Sequence, residues 1–515
     1  MSTAATSPGA HSAGATNNGT TSPGANSAEA TSTEATSPGA DNAGVMGTGA
    51  MSPGAHSAGA VSTRTTGAVA MGTVTRPDGP GVPRLVQGGL ALAAPLWTMR
   101  RLRGRYGSAF TVNLPVIGET VVISDPAEVK QLFTTSPEIA DNLDFNLGRV
   151  LGPNSFFALS GEAHKQQRRL LVPPFHGRRL RGYEAIVEEE AVREMAAWPE
   201  GREFATLDSM MRITLNAILR AVFGADGTEL AALRELLPAM VKLGSRLAVL
   251  PLPRRDLGRW SPWGRARAYR REYDAIVDRL IAALPITGRP GLGERGDVLA
   301  LMLQSRYDDG AGMSRDEIAD QLLTLLSAGH ETTATTLAWA VERLRRHPAV
   351  LRRLAAEADA GGSQLREATI LEVQRVRPVI DATARQVRAP GMRLGRWTLP
   401  AGQVVVVSIY LIHHDEALFP DAGRFDPDRF AGSRPDAYQW IPFGGGARRC
   451  IGAAFAHMEM NVVLRTILRD FTLEPTRERG ERWHSRGIAW CPAQGGRAVV
   501  RRRATVVRRA DGQEP

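Results

Sequence analysis

The segment Phe443-Gly-Gly-Gly-Ala-Arg-Arg-Cys450-Ile-Gly452 decides how this chain is read. It sets a cysteine after a glycine-rich turn and directly before an amphipathic pattern that predicts a helix from Ile451 to about Arg469. A sulfur at a helix N-terminus lies in a positive partial potential near unpaired backbone donors, which lowers its pKa and favours thiolate. The glycines let the backbone approach a large flat ligand closely. For a lone cysteine the alternative is a buried structural thiol.

Spacing removes several rivals. A dinucleotide fingerprint needs a glycine where Arg449 stands, and a phosphate loop needs Gly-Lys-Ser/Thr, which is absent. His330-Glu331 opens like a zincin motif, but the second histidine would have to replace Ala334. His413-His414-Asp415 is read as a solvated loop, because adjacent histidines seldom aim at one centre. A thiolate at Cys450 could ligate heme iron and push electron density onto it, and Arg448 is suited to pairing a carboxylate, while a buried structural thiol stays open for Cys450 alone.

Working outward, Ser314 and Glu317 form a Ser-x-x-Glu capping box, and no proline interrupts the chain until Pro348. A helix of roughly thirty residues there would run about 45–50 Å and cross a whole domain. Its middle, Ala328-Gly329-His330-Glu331-Thr332-Thr333, has poor helix propensity. A broken local rule inside a long buried helix points to function; a tolerated packing glycine with surface threonines is the plainer reading. Phe110 to Leu114 and Glu119 to Ile123 predict a hairpin, Asp125-Pro126 starts a helix, and strands return around Gln403 to Ile409 and near the C-terminus. The expected fold is mainly α with small β-sheets.

Residues 1–75 are rich in Ala, Gly, Ser, Thr and Pro, with Ser-Pro-Gly-Ala recurring every fifteen residues from Ser7, Ser22, Ser37 and Ser52. These four repeats lack large apolar side chains and cannot bury enough surface to offset backbone ordering, so they are read as a disordered low-complexity tail; a functional tether is the alternative. Residues 76–505 are then the folded domain and 506–515 a second disordered tail. The formal charge of +10 is carried almost wholly by scattered arginines, which reads as a solvated surface and not as a nucleic-acid stripe. Two cysteines, Cys450 and Cys491, build no disulfide framework and fit a reducing, cytoplasmic setting. No run approaches the roughly 18 apolar residues of a membrane span, and no secretory signal is written at the start.

Taken together, these motifs resemble the cytochrome P-450 family. Its pattern Phe-x-x-Gly-x-Arg-x-Cys-x-Gly is met by Phe443, Gly446, Arg448, Cys450 and Gly452; its Ala-Gly-x-Glu-Thr-Thr by Ala328 through Thr333; its Glu-x-x-Arg by Glu372 and Arg375. Phe425-Asp-Pro-Asp-Arg429-Phe430 is similar to the segment whose arginine completes a buried triad with that pair. The order of motifs, over roughly residues 77–505, implies a cytochrome P-450 fold with a long central helix over heme b and Cys450 as axial ligand to the iron.

The resemblance also implies heme-propionate contacts from His164, Arg168 and Arg385, with Ala328 and Gly329 leaving room above the iron. His414 stands where relatives often carry arginine. Pocket residues are expected at Phe145, Phe156, Leu326, Val379, Ile380 and Ile488, which suits a small apolar organic substrate. The implied reaction inserts one atom of O2 into that substrate by hydroxylation or epoxidation, with Thr332 bonding the dioxygen and Glu331 linking it to solvent. A monomer is expected, supplied with electrons by a ferredoxin and ferredoxin reductase, because the chain holds no flavin, nicotinamide or iron–sulfur module. Lys165, Arg169 and Arg449 would steer an acidic carrier, and Arg501 to Arg503, Arg508 and Arg509 are read as a solvated tail that at most extends the patch. A non-catalytic heme protein would need Cys450 without Glu331 and Thr332; an arginine-rich nucleic-acid binder would need none of them. The absorbance of the reduced, carbon monoxide-bound protein separates the last class from the other two.

Overall fold

The computed structural model describes residues 73–503 except 116, 144–145, 225–226, 250–256, 285–295 and 434. Phe145, Arg508, Arg509, the four repeats and the C-terminal tail therefore lie outside the described residues. The chain divides into Met1–Thr66, wholly outside them, and Gly67–Pro515, which carries everything below.

Fifteen helices are described: α1 (Arg84–Ala93), α2 (Pro95–Tyr106), α3 (Pro126–Thr134), α4 (Asn146–Leu151), α5 (Gly161–Leu171), α6 (Arg178–Met195), α7 (Thr206–Phe223), α8 (Thr228–Val249), α9 (Pro262–Ala282), α10 (Val298–Gln304), α11 (Arg315–Arg346), α12 (Pro348–Asp359), α13 (Gln364–Val376), α14 (Ile409–His413) and α15 (Ala453–Asp470). The central one is α11, 32 residues and about 48 Å long. The Ser314 hydroxyl accepts from the Glu317 amide while the Glu317 carboxylate accepts from the Ser314 amide, so the expected capping box starts it. Arginines at 343, 345 and 346 fill its last turn, where the carbonyl end of the helix favours cations, and Pro348 opens α12. Asp125 caps α3 in the same manner, accepting from the amides of Ala127 and Glu128.

The main sheet is mixed. β1 (Ala109–Leu114) and β2 (Gly118–Ile123) form the expected antiparallel hairpin, and β3 (Ala140–Asp141) lies at the far edge beside β5 (Ala382–Val387). β8 (Val404–Ser408) sits between β2, to which it is parallel, and β5, to which it is antiparallel. A run of four valines suits that central place, since every residue of β8 is buried. The remaining pairs are β4 (Phe204–Ala205) with β12 (Arg497–Ala498), β6 (Gly391–Leu394) with β7 (Trp397–Pro400), β9 (Phe471–Leu473) with β13 (Val500–Arg502), and β10 (Trp483–Ser485) with β11 (Trp490–Pro492). Thr75 pairs with Thr398, so ordered backbone begins before the expected boundary at residue 76.

Two apolar clusters share α11. Val187, Met210, Ile213, Trp339, Val463 and Ile467 join it to α6, α7 and α15. Leu233, Leu237, Tyr273, Leu299, Leu322 and Leu323 join its first half to α8, α9 and α10. Each fully buried leucine or valine contributes about 1.5–3 kcal/mol relative to exposure. The central helix is thus held from both sides, and its middle turn is fixed in space.

Arg501, Arg502 and Arg503 form no tail. They belong to or follow β13 and pair with Glu474, Glu200 and Asp359 at 2.7, 3.0 and 2.8 Å. This corrects their reading as a tail, though Arg501 and Arg502 remain exposed, and the cause is strand pairing that the arginine-rich composition conceals.

Candidate active site

The loop 441–452 is built before any ligand is considered. The Ile441 amide donates to His413 Nε2 at 2.9 Å, and the Cys450 amide donates to the Phe443 carbonyl at 3.0 Å. Gly446 has φ +65°, and a Cβ there would overlap the Phe133 carbonyl of α3; one on Gly445 would overlap the Phe133 ring. Close approach to α3 therefore requires these two glycines, a physical reason different from the ligand approach first inferred. Helix α15 begins at Ala453 with Gly452 as its cap, two residues later than expected, so Cys450 stands one turn ahead of the helix.

This changes the electrostatics of the sulfur. Burial pushes the Cys450 thiol up, while the Gly452 amide and the cations Arg168 and Arg449 pull it down without prevailing. Burial outweighs the amide and the two cations here, and a bound metal cation would add to them in favouring the thiolate. Cys450 is surrounded by protein yet still presents free surface.

Three arginines and a histidine converge beside it. Arg168 Nη1 donates to the Arg449 carbonyl at 2.7 Å. Arg385, 7% exposed, donates to the carbonyls of Ala384 and Gly445 and lies over the Phe133 ring. Arg448 donates to Asp141 Oδ1 through Nε and Nη2 at 2.9 and 2.6 Å, and to the carbonyls of Phe156 and Leu159. Burial first, then Arg448, hold His164 down at about 3; burial and Arg448 likewise bring Arg385 down to about 10. Each cation thus suppresses its neighbours, with Asp141 as the carboxylate among them. Such an excess of positive charge beside a surface-presenting sulfur fits a metal macrocycle bearing two carboxylates.

On α11, Ala328 is exposed although Ile318 to Arg346 otherwise hold only buried and half-buried residues. A Cβ on Gly329 would stand 3.5 Å from Ile218 of α7, an ordinary packing distance, so the contact with α7 does not itself require glycine there. The Thr332 hydroxyl donates to the Ala328 carbonyl at 2.8 Å. Glu331, buried, accepts from Arg486 Nε at 2.7 Å. Arg486 lies on the tip between β10 and β11, where Ile488 also donates its amide to the Ser245 hydroxyl of α8. The tip therefore ties α8 to the acid of α11.

The Glu372–Arg375 pair is fully buried, with Arg375 Nε and Nη2 donating to the two carboxylate oxygens at 2.7 and 2.8 Å. Arg429 Nε lies 3.7 Å from the same carboxylate, which also accepts from the Asp426 amide. The three expected members are together. His413 is fully buried at the end of α14, which corrects its reading as part of a solvated loop; the polarity of the His-His-Asp string hides a buried acceptor for the Ile441 amide.

Among the expected lining residues, Phe156 packs edge-on to His164 at 5.5 Å, and Val379 and Ile380 cover the core cluster beside α11. Leu326 is 0% exposed and belongs to the packed cluster that α11 shares with α7, α8, α9 and α10, at a helical position turned away from Ala328. Sequence reasoning missed Asp141, Arg486 as a partner of Glu331, and Glu459. Burial pushes the Glu459 carboxyl of α15 well above the usual range beside Thr333, and its signal was a glutamate on the apolar stripe of an amphipathic helix.

The cytochrome P450 family description matches residues 77–492. A Mycobacterium tuberculosis chain described as cytochrome P450 138 is 55% identical over 438 residues, covering 85% of this chain and 99% of its own length. A Mycobacterium bovis cytochrome P450 135B1 is 39% identical over 434 residues, covering 82% and 91%. Among solved structures, a retinoic acid-bound cyanobacterial CYP120A1 superposes with a TM-score of 0.73 at 22% identity over 84% of this chain and all of its own, and the heme domain of a cytochrome P450DA mutant with 0.69 at 23% over 84% and 98%. With the cysteine loop, its cluster of cations and the glutamate–threonine turn of α11 in place, the chain belongs to the cytochrome P450 family, heme-thiolate monooxygenases that bind heme b.

Proposed function

We propose that this protein is a monooxygenase inserting one oxygen atom from O2 into a small apolar organic substrate, by hydroxylation or epoxidation, in the cytoplasm and as a monomer. Heme b, when bound, supplies the iron chemistry that activates dioxygen. Cys450 would ligate the iron, and Arg168, His164, Arg385 and Arg448 would hold the carboxylates of the bound group, Arg448 being already paired with Asp141. Phe443 and Gly452 shape the cysteine loop, and the exposed Ala328 would offer a small face to the bound group.

The observation that carries this reading is the pairing on one helical turn of a buried carboxylate with a neighbouring hydroxyl, neither of which heme binding alone would require. In its resting geometry Thr332 spends its proton on the Ala328 carbonyl. Rotation about its side chain frees the hydroxyl to donate toward the distal face. Glu331 is tethered by Arg486 Nε at 2.7 Å, and when that contact loosens its carboxyl group can join solvent to the hydroxyl network. Electrons come from a ferredoxin and its reductase. Arg449 is the leading cation for steering such an acidic carrier, because Lys165 and Arg169 already share Glu162, and Arg169 also meets Asp308 at 3.0 Å.

Thr332→Ala tests the assignment. The reduced, carbon monoxide-bound spectrum should match the parent, while product formed per electron pair from an apolar substrate library, with surrogate ferredoxin and reductase, should fall about 10-fold or more. Unchanged coupling would remove Thr332 and the proton route from the mechanism.

A further inference from the structure

Helix α1 is inside out. Its one buried residue is polar: Gln87 donates to the carbonyls of Pro80 and Val82 and accepts from the Asn113 amide, stitching the helix to β1. The apolar side chains point the other way, with Leu85 91%, Leu92 55%, Val86 48% and Leu90 41% exposed. At about 100° per residue these four fall with Gly89 and Ala93 on one contiguous arc of about 160°, the width of a face that ordinarily packs on a core. Such a contiguous apolar face marks an interaction surface.

Charge says what covers it. From Gly79 to Gly118 there is no aspartate or glutamate, while Arg84, Arg100, Arg101, Arg103 and Arg105 contribute five positive charges. Arg103 is turned inward to Asp415, but Arg84, Arg100, Arg101 and Arg105 are exposed. On α2, Trp97 (59% exposed) shares its outer face with Arg100, Arg101 and Arg105. Leucines and a tryptophan beside uncompensated arginines match a surface that is apolar beneath and anionic above. The N-terminal segment of this chain is a poorer match, since residues 1–72 contain no Leu, Ile, Phe or Trp.

We infer that α1 and the outer face of α2 form a peripheral docking surface for an anionic phospholipid membrane. The helix lies in the interface plane with Leu85, Val86, Leu90 and Leu92 inserted and the arginines on the headgroups. No helix of the described residues is long and apolar enough to cross a membrane, so attachment is reversible and falls with salt.

The test is co-sedimentation of the purified full-length holoprotein with vesicles of phosphatidylcholine alone and of equal parts phosphatidylcholine and phosphatidylglycerol. Binding is expected to the second composition and to weaken with added salt. Leu85→Ser with Leu92→Ser should reduce it about 10-fold or more, and Arg100→Glu with Arg101→Glu similarly. The carbon monoxide spectrum should stay that of the parent, which separates this inference from the assignment of Cys450. Parent protein left in the supernatant with the mixed vesicles overturns the proposal, as does undiminished binding by the leucine variant. So does a parent that self-associates in sedimentation velocity without lipid and becomes monomeric in the leucine variant, which would make a second copy the occupant.

Discussion

Cys450→Ser is expected to remove the red-shifted thiolate band from the reduced, carbon monoxide-bound spectrum and to lower product formation 100-fold or more, about 2.7 kcal/mol in the barrier. The substitution is nearly isosteric, and the loop does not depend on sulfur for its shape: the Cys450 amide is held by Phe443 and the Ile441 amide by His413. The folded protein should therefore survive with its chemistry lost. A hydroxyl is far harder to ionise than a thiol and donates less electron density to iron. Burial already opposes a negative charge at this position, with Arg168 and Arg449 only partly compensating, so an alkoxide would be still less favoured. Absorbance spectroscopy of the reduced protein decides the matter, and an unaltered thiolate band in the serine variant would remove Cys450 as the ligand.

The second large effect falls on stability. Arg375 is fully buried and makes five hydrogen bonds: two to Glu372, and one each to the carbonyls of His413, Ala422 and Arg424 at 2.7, 2.9 and 3.0 Å. Arg375→Ala strands Glu372, whose carboxyl burial already raises despite its partner, with the Asp426 amide and Arg429 as its remaining supports. Removing one member of a buried ion pair costs about 3–5 kcal/mol. The three orphaned carbonyls belong to the segment that runs toward the cysteine loop, so the heme should be released earlier in urea than the helical signal is lost. Lysine should not restore the parent, because a single ammonium cannot reach five acceptors in a planar fork. Urea denaturation followed by heme absorbance and far-ultraviolet circular dichroism measures both; an alanine variant within about 1 kcal/mol of the parent would contradict the argument.

What the sequence made legible is what local chemistry writes. Ser314 and Glu317 announced the start of α11 and Pro348 its end, because a capping box and a proline act over one turn. The hairpin of β1 and β2 was readable from β-branched alternation and Cys450 from its glycine-rich turn, whereas Glu372, Arg375 and Arg429 were pointed to only by the family resemblance. The order of the five-stranded sheet was not, since β8 joins β2 as a parallel neighbour across some 280 residues and no local pattern encodes such a partner. Asp141 and Arg486 were invisible as partners for the same reason: their contacts to Arg448 and Glu331 span 307 and 155 positions. Leu326 and Ala328 are two residues apart yet one is buried in the core and the other exposed, a distinction that helical phase fixes only once the neighbours of α11 are known.

The imidazole that receives the Ile441 amide also sets how this enzyme meets acid. His413 is buried wholly, and burial followed by the charges of His414 and Arg375 keeps it far below its ordinary value, hence neutral in the fold. In the unfolded chain it takes up a proton below about pH 6.5, so each further unit of acidity costs up to about 1.4 kcal/mol of stability until the folded imidazole itself titrates. Protonation there also deletes the lone pair that anchors the cysteine loop. Acidification should consequently weaken this joint along with the fold's other burial-depressed histidines, among them His164 and His414.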